Sequence, residues 1–387
     1  MKRFLAIITA VCLLFCLSAC DIEDVFGDKQ PAISTLDTSS NTVSSLQENI
    51  KKLSGKKLDL SSEESRNPIG IKGELFYFES VVDNKNNTGD VTICMYNLTT
   101  QETTILGTLN SCTTASAKYA FLDGDKIFRT QGVAVDDSEV NFHMMIDASE
   151  NKINILRRDD FFPPLVDTYA VNSRQYLEYQ PESLDNEGGY RYHVRIGNEN
   201  GEVKEIITKK RDLNGGTTLI SVSTYNNVIY TLEYTDAKYN ICSYDLNGLQ
   251  LSCEGIGIVT EFANMPDELT GEQDPLWSMD VINGYYFFSS AYGRKLVIHK
   301  TEAGYSKNEY LSTTEITRVT CNTAVDANRV VFYDYGKQVL VVFNTNTQSR
   351  IEYRLEAISP SPYLTTDGQR VIYSDADGNF RVATINK

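Results

Sequence analysis

Three observations predict an all-β fold: an aromatic, turn-rich composition, alternation of apolar and polar residues within short runs, and the return of those runs at one spacing. The chain has 387 residues, 41% apolar and 23% charged, which is long enough to bury a core and too apolar for disorder. Its 23 Tyr, 16 Phe and 24 Gly, beside a single Trp, favour strands and turns over helices. The recurring runs are Leu75-Phe76-Tyr77-Phe78, Lys126-Ile127-Phe128, Gln175-Tyr176-Leu177, Val228-Ile229-Tyr230, Tyr285-Tyr286-Phe287-Phe288, Val330-Val331-Phe332-Tyr333 and Val371-Ile372-Tyr373. Over residues 73–387 these seven units average about 45 residues, the length of a four-stranded propeller blade; helical repeats of that length would show a period of 3.6. The prediction is therefore a seven-bladed β-propeller of four-stranded blades over residues 56–387.

The N-terminus precedes that fold with an export signal. Met1-Lys2-Arg3 is positive, and the apolar run Phe4–Leu17 is too short for a spanning helix of about 20 residues. Leu17-Ser18-Ala19-Cys20 follows and is similar to the lipobox of bacterial lipoproteins. That resemblance makes residues 1–19 a signal peptide and Cys20 the lipidated mature N-terminus, anchored by its acyl chains outside the cytoplasm. The anchor would sit in the outer leaflet of the cytoplasmic membrane or, where an outer membrane exists, on the periplasmic side of the envelope. Asp21 resembles the signal that retains lipoproteins on an inner membrane. Residues 21–55, rich in Ser, Thr, Asp and Asn, read as a tether, within which Val43, Leu46, Ile50 and Leu53 have near-helical spacing.

Alignment of the units supplies an internal test. Cys94, Met144, Val194, Cys242, Leu296, Val341 and Ala383 form one column, two residues before Tyr96, Ile146, Ile196, Tyr244, Ile298, Phe343 and Ile385. Residues at that period share a strand face, so the column should pack between blades. In six units a further strand follows, as in Thr103–Leu106, Ile153–Leu156 and Ile351–Tyr353, whereas the seventh unit runs only to Lys387. Lys57-Leu58-Asp59-Leu60 has the alternation to supply the missing strand, so the ring is expected to be closed by this N-terminal strand.

Thr366-Asp367-Gly368-Gln369-Arg370-Val371-Ile372-Tyr373-Ser374-Asp375-Ala376-Asp377-Gly378-Asn379 resembles the repeat of TolB-like propellers, with Asp-Gly turns on both sides of a strand; Leu122–Phe128 and Tyr244–Gly248 echo it. The chain thus resembles the TolB-like propeller lipoproteins of bacteria, many of which have no assigned function. Fold similarity of this kind implies an architecture and leaves function to the site.

Function must then come from side chains. The acidic balance, 52 Asp+Glu against 36 Lys+Arg, excludes a nucleic-acid surface, which needs clustered positive charge. No Gly-x-Ser-x-Gly elbow, P-loop or His-Glu-x-x-His sequence is present. The histidines are His143, His193 and His299; the first two fall at equivalent places on third strands that diverge from the axis, which argues against a shared metal. Innermost strands are expected at Leu219–Ser223, Trp277–Asp280, Val319–Asn322 and Ile358–Pro362, where hydroxyls dominate and Asp280 is the candidate carboxylate. Asp375–Asn379 fits a hairpin turn better than a calcium loop. No metal or cofactor is implied. Across a turn at Asn247-Gly248, Cys242 falls opposite Cys253 near 5.5 Å, which allows either a disulfide or two thiols.

Long segments cluster on the first four units: Ser80–Asp90, Gln131–Glu139, Arg157–Asp167, Pro181–Gly189 and Glu254–Pro275. They carry Asp136, Asp137, Asp185 and Glu187 beside Phe161, Phe162 and Trp277, an aromatic patch in an acidic rim that suits a binding face. The expected role is a monomeric, membrane-anchored binding or scaffold module whose acidic loop face meets an envelope protein or polar ligand. The alternative is a propeller enzyme or lectin-like binder acting on glycan or peptide in the central channel through Asp280 or Ser221.

Overall fold

The computed structural model describes residues 50–385, apart from 61–64, 85–87, 114–118, 122–125, 136–137, 160–166, 185–187, 265–272, 291–294, 302–303, 312–321, 324–328, 335–337, 348 and 360–362. The regular structure of these residues is strand apart from one helix. Two short strands lead, β1 (Lys51–Leu53) and β2 (Lys56–Lys57). Sets of consecutive antiparallel strands follow. The first comprises β3 (Ser65–Lys72), β4 (Leu75–Asn84), β5 (Thr88–Asn97) and β6 (Thr103–Thr113); the second, β7 (Tyr119–Phe121), β8 (Lys126–Val135), β9 (Ser138–Asp147) and β10 (Lys152–Asp159). A Cys112–Val133 bridge joins these two sets edge to edge. The third set is β11 (Asp167–Ala170), β12 (Gln175–Leu184), β13 (Gly189–Asn198), β14 (Val203–Asp212) and the two-residue β15 (Gly215–Gly216). The fourth is β16 (Thr218–Tyr225), β17 (Val228–Thr235), β18 (Lys238–Tyr244) and β19 (Gln250–Gly255), followed by helix α1 (Gly257–Asn264). Then come β20 (Leu276–Ile282), β21 (Tyr285–Ser290), β22 (Lys295–Thr301) and β23 (Gly304–Leu311) in the fifth set. The sixth holds β24 (Asn322–Thr323), β25 (Arg329–Asp334), β26 (Val339–Asn344) and β27 (Ser349–Leu355), and the seventh β28 (Leu364–Thr366), β29 (Arg370–Ser374) and β30 (Phe380–Thr384).

Alternation gives every central strand two faces, one toward the preceding set and one toward the next. Between the first two sets the gap is filled by Tyr77, Ile93, Ile127 and Ile146; between the third and fourth by Leu177, Val194, Val222 and Cys242. Leu232, Phe288 and Leu296 pack the next gap, where α1 adds Val259 and Phe262. Phe287, Val341 and Phe343, then Val331, Tyr353 and Tyr373, fill the two after it. The last set meets the first through Ile372, Phe380, Phe76 and Tyr96.

All seven residues of the aligned column are buried, but the third unit is out of step. Val194 shares a cluster with the following set, whereas Cys94, Cys242, Leu296, Val341 and Ala383 each face the preceding one. The third-set residues that face backward are therefore Arg195 and Gly197, not Val194 and Ile196. His143 and His193 consequently point into the same gap from opposite sides, instead of occupying equivalent faces.

Other expectations shift as well. Most of Ser80–Asp90, Gln131–Glu139 and Pro181–Gly189 is not loop but hairpin: β4/β5, β8/β9 and β12/β13 each run ten residues, against five to eight in the last four sets. Polar residues such as Asp83, Glu182 and Arg191 interrupt their outer halves, yet Val81, Val91, Val133 and Val140 there still belong to the packing between the first two sets. Glu254–Pro275 contains α1, which seats Val259, Phe262 and Ala263 against the fourth and fifth sets. The innermost strand of the seventh set is Leu364–Thr366; Ile358 forms only an isolated bridge with Asp375. Asp375 Oδ1 accepts from the amides of Asp377 and Asn379, with Gly378 at φ +77°, and Oδ2 accepts from Arg381 Nε at 2.9 Å, as a hairpin turn requires.

The N-terminal segment ties the last two sets together. β1 lies parallel to β27, with Leu53 opposite Leu355, and β2 lies antiparallel to β30. The pairing with β30 begins at Lys56, one residue before the expected strand, and Leu58 N extends it by donating to Phe380 O at 2.8 Å. Lys51–Leu53 is strand rather than tether or helix, and Leu53, Leu58 and Leu60 are buried. Gly55 links the strands where a Cβ would stand 2.6 Å from Tyr373 Oη, so a side chain there would have to displace that ring. Each buried leucine contributes about 2 kcal/mol. Deleting residues 50–60 should therefore lower the melting temperature by roughly 10 °C or more in a calorimetric scan; a deletion variant that melts with the parent would show that the pairing is dispensable.

Candidate functional site

The gap between the second and third sets differs from the others among the described residues. Its apolar fill is small: Phe128, Met145 and Tyr176, with Leu156 beside them. Tyr176 stacks on Phe128 with centroids 3.4 Å apart and its ring covers Gly197, where a Cβ would lie 2.2 Å from Tyr176 Cζ. Beyond this stack the facing side chains are charged. β12 turns Glu178, Gln180 and Glu182 toward the gap, and β13 turns Arg191, His193 and Arg195, while Tyr179, Tyr192 and Val194 face the fourth set.

His143 is the inner end of this polar seam and is buried. Its Nε2 lies 2.9 Å from Asp159 Oδ2 and its Nδ1 2.8 Å from Glu178 Oε1, on the facing sheet. Arg157 caps the pair: Nη2 donates to Glu178 Oε2 at 3.0 Å and Nε to Asp159 Oδ1 at 3.1 Å. Burial by itself would push the His143 pKa down, but the carboxylates of Asp159 and Glu178 more than offset it and hold the imidazole above its ordinary range. Burial likewise works to raise Glu178, yet His143 and Arg157 keep it ionised, below the usual carboxylate range. His143, through its hydrogen bond, and then Arg157 depress Asp159 strongly despite partial burial.

Outward from that network the gap opens into a cleft of about 800 Å³. One wall carries Arg157 and Arg158, the other Arg191, His193 and Arg195. His193 sits between two carboxylates, Nε2 3.0 Å from Glu182 Oε2 and Nδ1 2.6 Å from Glu205 Oε2. Arg195 Nη1 donates to Gln180 Oε1 at 2.6 Å and its Nε stands 3.8 Å from Glu205; Arg191 stands 3.5 Å from Glu182. The hydroxyl of Thr208 and then His193 hold Glu205 below its ordinary range. Such an array of guanidinium forks and carboxylates can orient an ionic ligand.

The residues singled out from sequence are dispersed. Asp136 and Asp137 belong to the connection between β8 and β9, and Asp185 and Glu187 to that between β12 and β13; all four lie outside the described residues, as do Phe161, Phe162, Cys20 and Cys321. Trp277, half exposed, and the partly buried Asp280 lie on β20, in a different set from the cleft. Ser221 and Ser223, expected as channel hydroxyls, are buried, and accept from Met279 N (3.1 Å) and Val281 N (3.2 Å), which stitches β16 to β20. Cys242 and Cys253 are register partners and disulfide-bonded at a Cα separation of 3.9 Å. The expected pairing arises by another route: the turn offsets the strands by one residue and a bulge between Ser243 and Tyr244 restores the register. Beside the bridge lies Glu233, the remaining member of the metal-sized cluster found among the described residues.

What sequence reasoning missed is the cleft itself. Its signal is Arg191-Tyr192-His193-Val194-Arg195-Ile196, in which one face of a central strand carries two arginines and a histidine.

No family model matches the chain, and no curated protein matches it in sequence. Among solved structures it is similar to oligogalacturonate lyase from Vibrio parahaemolyticus, a β-propeller, with TM-score 0.53 and 12% identity over 86% of this chain and 93% of that one. It is also similar to the acylaminoacyl peptidase of Pyrococcus horikoshii, TM-score 0.51 and 12% identity, over 80% of this chain and 48% of that longer one. At such identity the likeness establishes a propeller fold and nothing about activity.

The His143 network makes stability depend on pH with a definite sign. Its folded-state pKa is raised, so its contribution is complete below the unfolded value of about 6.5 and is lost as pH rises through the folded value. Melting temperature should fall as pH rises from about 6.5 through the raised folded-state value in the parent, and this dependence should vanish in His143→Gln, which should be less stable by about 3 kcal/mol at pH 6. Parallel pH profiles for the two proteins would dismiss the network as a stabilising element.

Proposed function

We propose that this chain is a seven-bladed, TolB-like propeller lipoprotein, anchored outside the cytoplasm through Cys20, and that it serves as a binding module whose working surface is the long-hairpin end of blades one to three, with the cleft between blades two and three at its centre. The observation that carries this reading is that the gap between the second and third sets has a small apolar fill and opens into a cleft lined by charged side chains, whereas among the described residues the other gaps hold larger apolar clusters beside isolated ion pairs such as Arg129–Glu79 and Lys209–Glu233. Buried ion pairs are a poor substitute for apolar packing in stability terms, since desolvation offsets most of their attraction. A gap kept charged and open at that cost is explained by binding. Seven blades are supported by the seven sets of strands, and ring closure by the pairing of β2 with β30. The acids Asp136, Asp137, Asp185 and Glu187 belong to the connections between β8 and β9 and between β12 and β13, and are the charges by which this end would meet the basic or polar surface of an envelope protein.

The test is affinity capture from envelope extract, with three baits: the parent, a rim variant with Asp136, Asp137, Asp185 and Glu187 changed to Lys, and a cleft variant, Arg191→Glu with Arg195→Glu. A partner held by the parent and lost with either variant is the expected result. Identical capture by all three baits, each melting like the parent, would remove the hairpin end as the working surface.

A further inference from the structure

The gap between the third and fourth sets holds a second group of ligand-type side chains, independent of the cleft. Glu233 on β17, Cys242 on β18 and Cys253 on β19 present a carboxylate oxygen and two sulfurs that all lie within 4.8 Å of one another. The β-ladder gathers them. Cys242 pairs with Thr231 on one side and Cys253 on the other, so these three share a face, and Glu233, two residues along from Thr231, lies on it as well. That face is turned toward the third set, from which Lys209 on β14 reaches Glu233 Oε2 at 3.1 Å.

The surroundings are those of a ligand shell. Glu233 is buried, and its Oε1 accepts from the hydroxyls of Thr231 and Tyr244, each at 2.8 Å, while Oε2 meets the Lys209 ammonium. Three of about four lone-pair sites are thereby filled, which fixes the carboxylate and leaves one site to give. Cys242 is fully buried, whereas Cys253 is exposed on β19, the outermost strand of its sheet. A reagent arriving from solvent therefore meets the sulfur of Cys253, with the other two donors behind it. The bond between the cysteines repeats a closure that the turn already provides: Asp245 Oδ1 accepts from Asn247 N at 2.9 Å and Leu249 N at 2.8 Å. A cross-link over 11 residues also constrains the unfolded chain less than a long-range one.

Opening that bond takes a dithiol. Its thiolate attacks the sulfur of Cys253, forming a mixed disulfide and releasing Cys242 as a thiolate that takes up a proton; its second thiol then frees Cys253 and leaves as an intramolecular disulfide. The protein gains two electrons and two protons, and a divalent cation displaces those protons on binding. Charge closes on that state: two thiolates and one carboxylate, less the Lys209 ammonium, leave a double negative charge, which one divalent cation cancels. Thiolates select zinc-like ions over calcium and magnesium, which take oxygen donors. Metal–sulfur bonds of about 2.3 Å place two sulfurs nearly 4 Å apart, and Cys253, exposed at the sheet edge, is the one placed to turn outward. We infer that Cys242, Cys253 and Glu233 form a redox-gated site for a thiophilic divalent cation, closed as a disulfide and opened by a dithiol, with solvent completing the coordination from the Cys253 side.

The experiment uses the full chain in detergent, reduced with dithiothreitol that is then removed by anaerobic desalting. Cadmium ion is titrated in while thiolate-to-cadmium charge transfer is followed in the ultraviolet, with zinc, calcium and magnesium as competitors. The unreduced chain is the control, because the free thiols of Cys94 and Cys112 are common to both samples. The reduced chain should bind cadmium at least about tenfold more tightly than the control, and zinc should displace it where calcium and magnesium do not. Metal should also raise the melting temperature of the reduced chain. Reduced Glu233→Gln should bind roughly tenfold or more weakly, and reduced Cys253→Ser more weakly still. Equal uptake before and after reduction, displacement by calcium or magnesium as readily as by zinc, or a reduced chain with no cooperative melting transition overturns the inference. Unchanged affinity in a Glu233→Gln variant that melts like the parent does so too. Should that variant melt early, Cys253→Ser, altered at an exposed edge position, carries the test: cadmium binding equal to that of the reduced parent overturns the site.

Discussion

Every central strand in this protein must satisfy two neighbours at once. Its odd and even side chains enter different gaps, and each gap is closed only when the residues from two sheets fill it together. Where both faces are apolar, as along Tyr285–Phe288, the sheets pack on either side with no further requirement. Where one face turns polar, the charges on it need partners, within their own sheet as for His193 or from the opposite one. Glu178 on β12 meets His143 on β9 and Arg157 on β10 for this reason, and the departure in one strand is answered by two others.

The same constraint explains what was legible in the sequence. Seven runs and their column of buried residues were visible because apolar residues at period two leave a plain trace. The column slid by one residue in the third unit because a strand offers two interleaved sets of positions, and alignment by hydrophobicity chose Val194 and Ile196 over Arg195 and Gly197. The better clue was that Tyr176–Gln180 and Arg191–Ile196, which pair with one another, both alternate in polarity. Two paired strands that do so together announce a polar gap. The hairpins are hard to recognise as strands because polar residues such as Asp83, Glu182 and Arg191 interrupt their outer halves, although Val81, Val91, Val133 and Val140 keep an apolar face toward the first gap.

Site and scaffold are thus the same set of residues viewed at different depths. The Phe128–Tyr176 stack seals the inner part of the gap, the His143 network replaces packing further along, and beyond it the walls separate enough to admit solvent. A substitution at Glu178 or Arg157 would therefore alter the cleft walls and the hold between two sheets together. Function here cannot be varied freely without reference to folding.

The attachment of the N-terminal segment has a mechanical side. Any traction on the chain ahead of residue 50 reaches the fold first at β1, whose residues lie in parallel register with Tyr353–Leu355. A pull along that strand stresses its bonds in shear, all together, rather than peeling them one after another. Gly55 and β2 come next, and behind them the open edge of β30. The segment therefore works as a fuse in series with the sheets: it takes the tension before they do, and once it parts, the sheets it stapled are the ones next exposed.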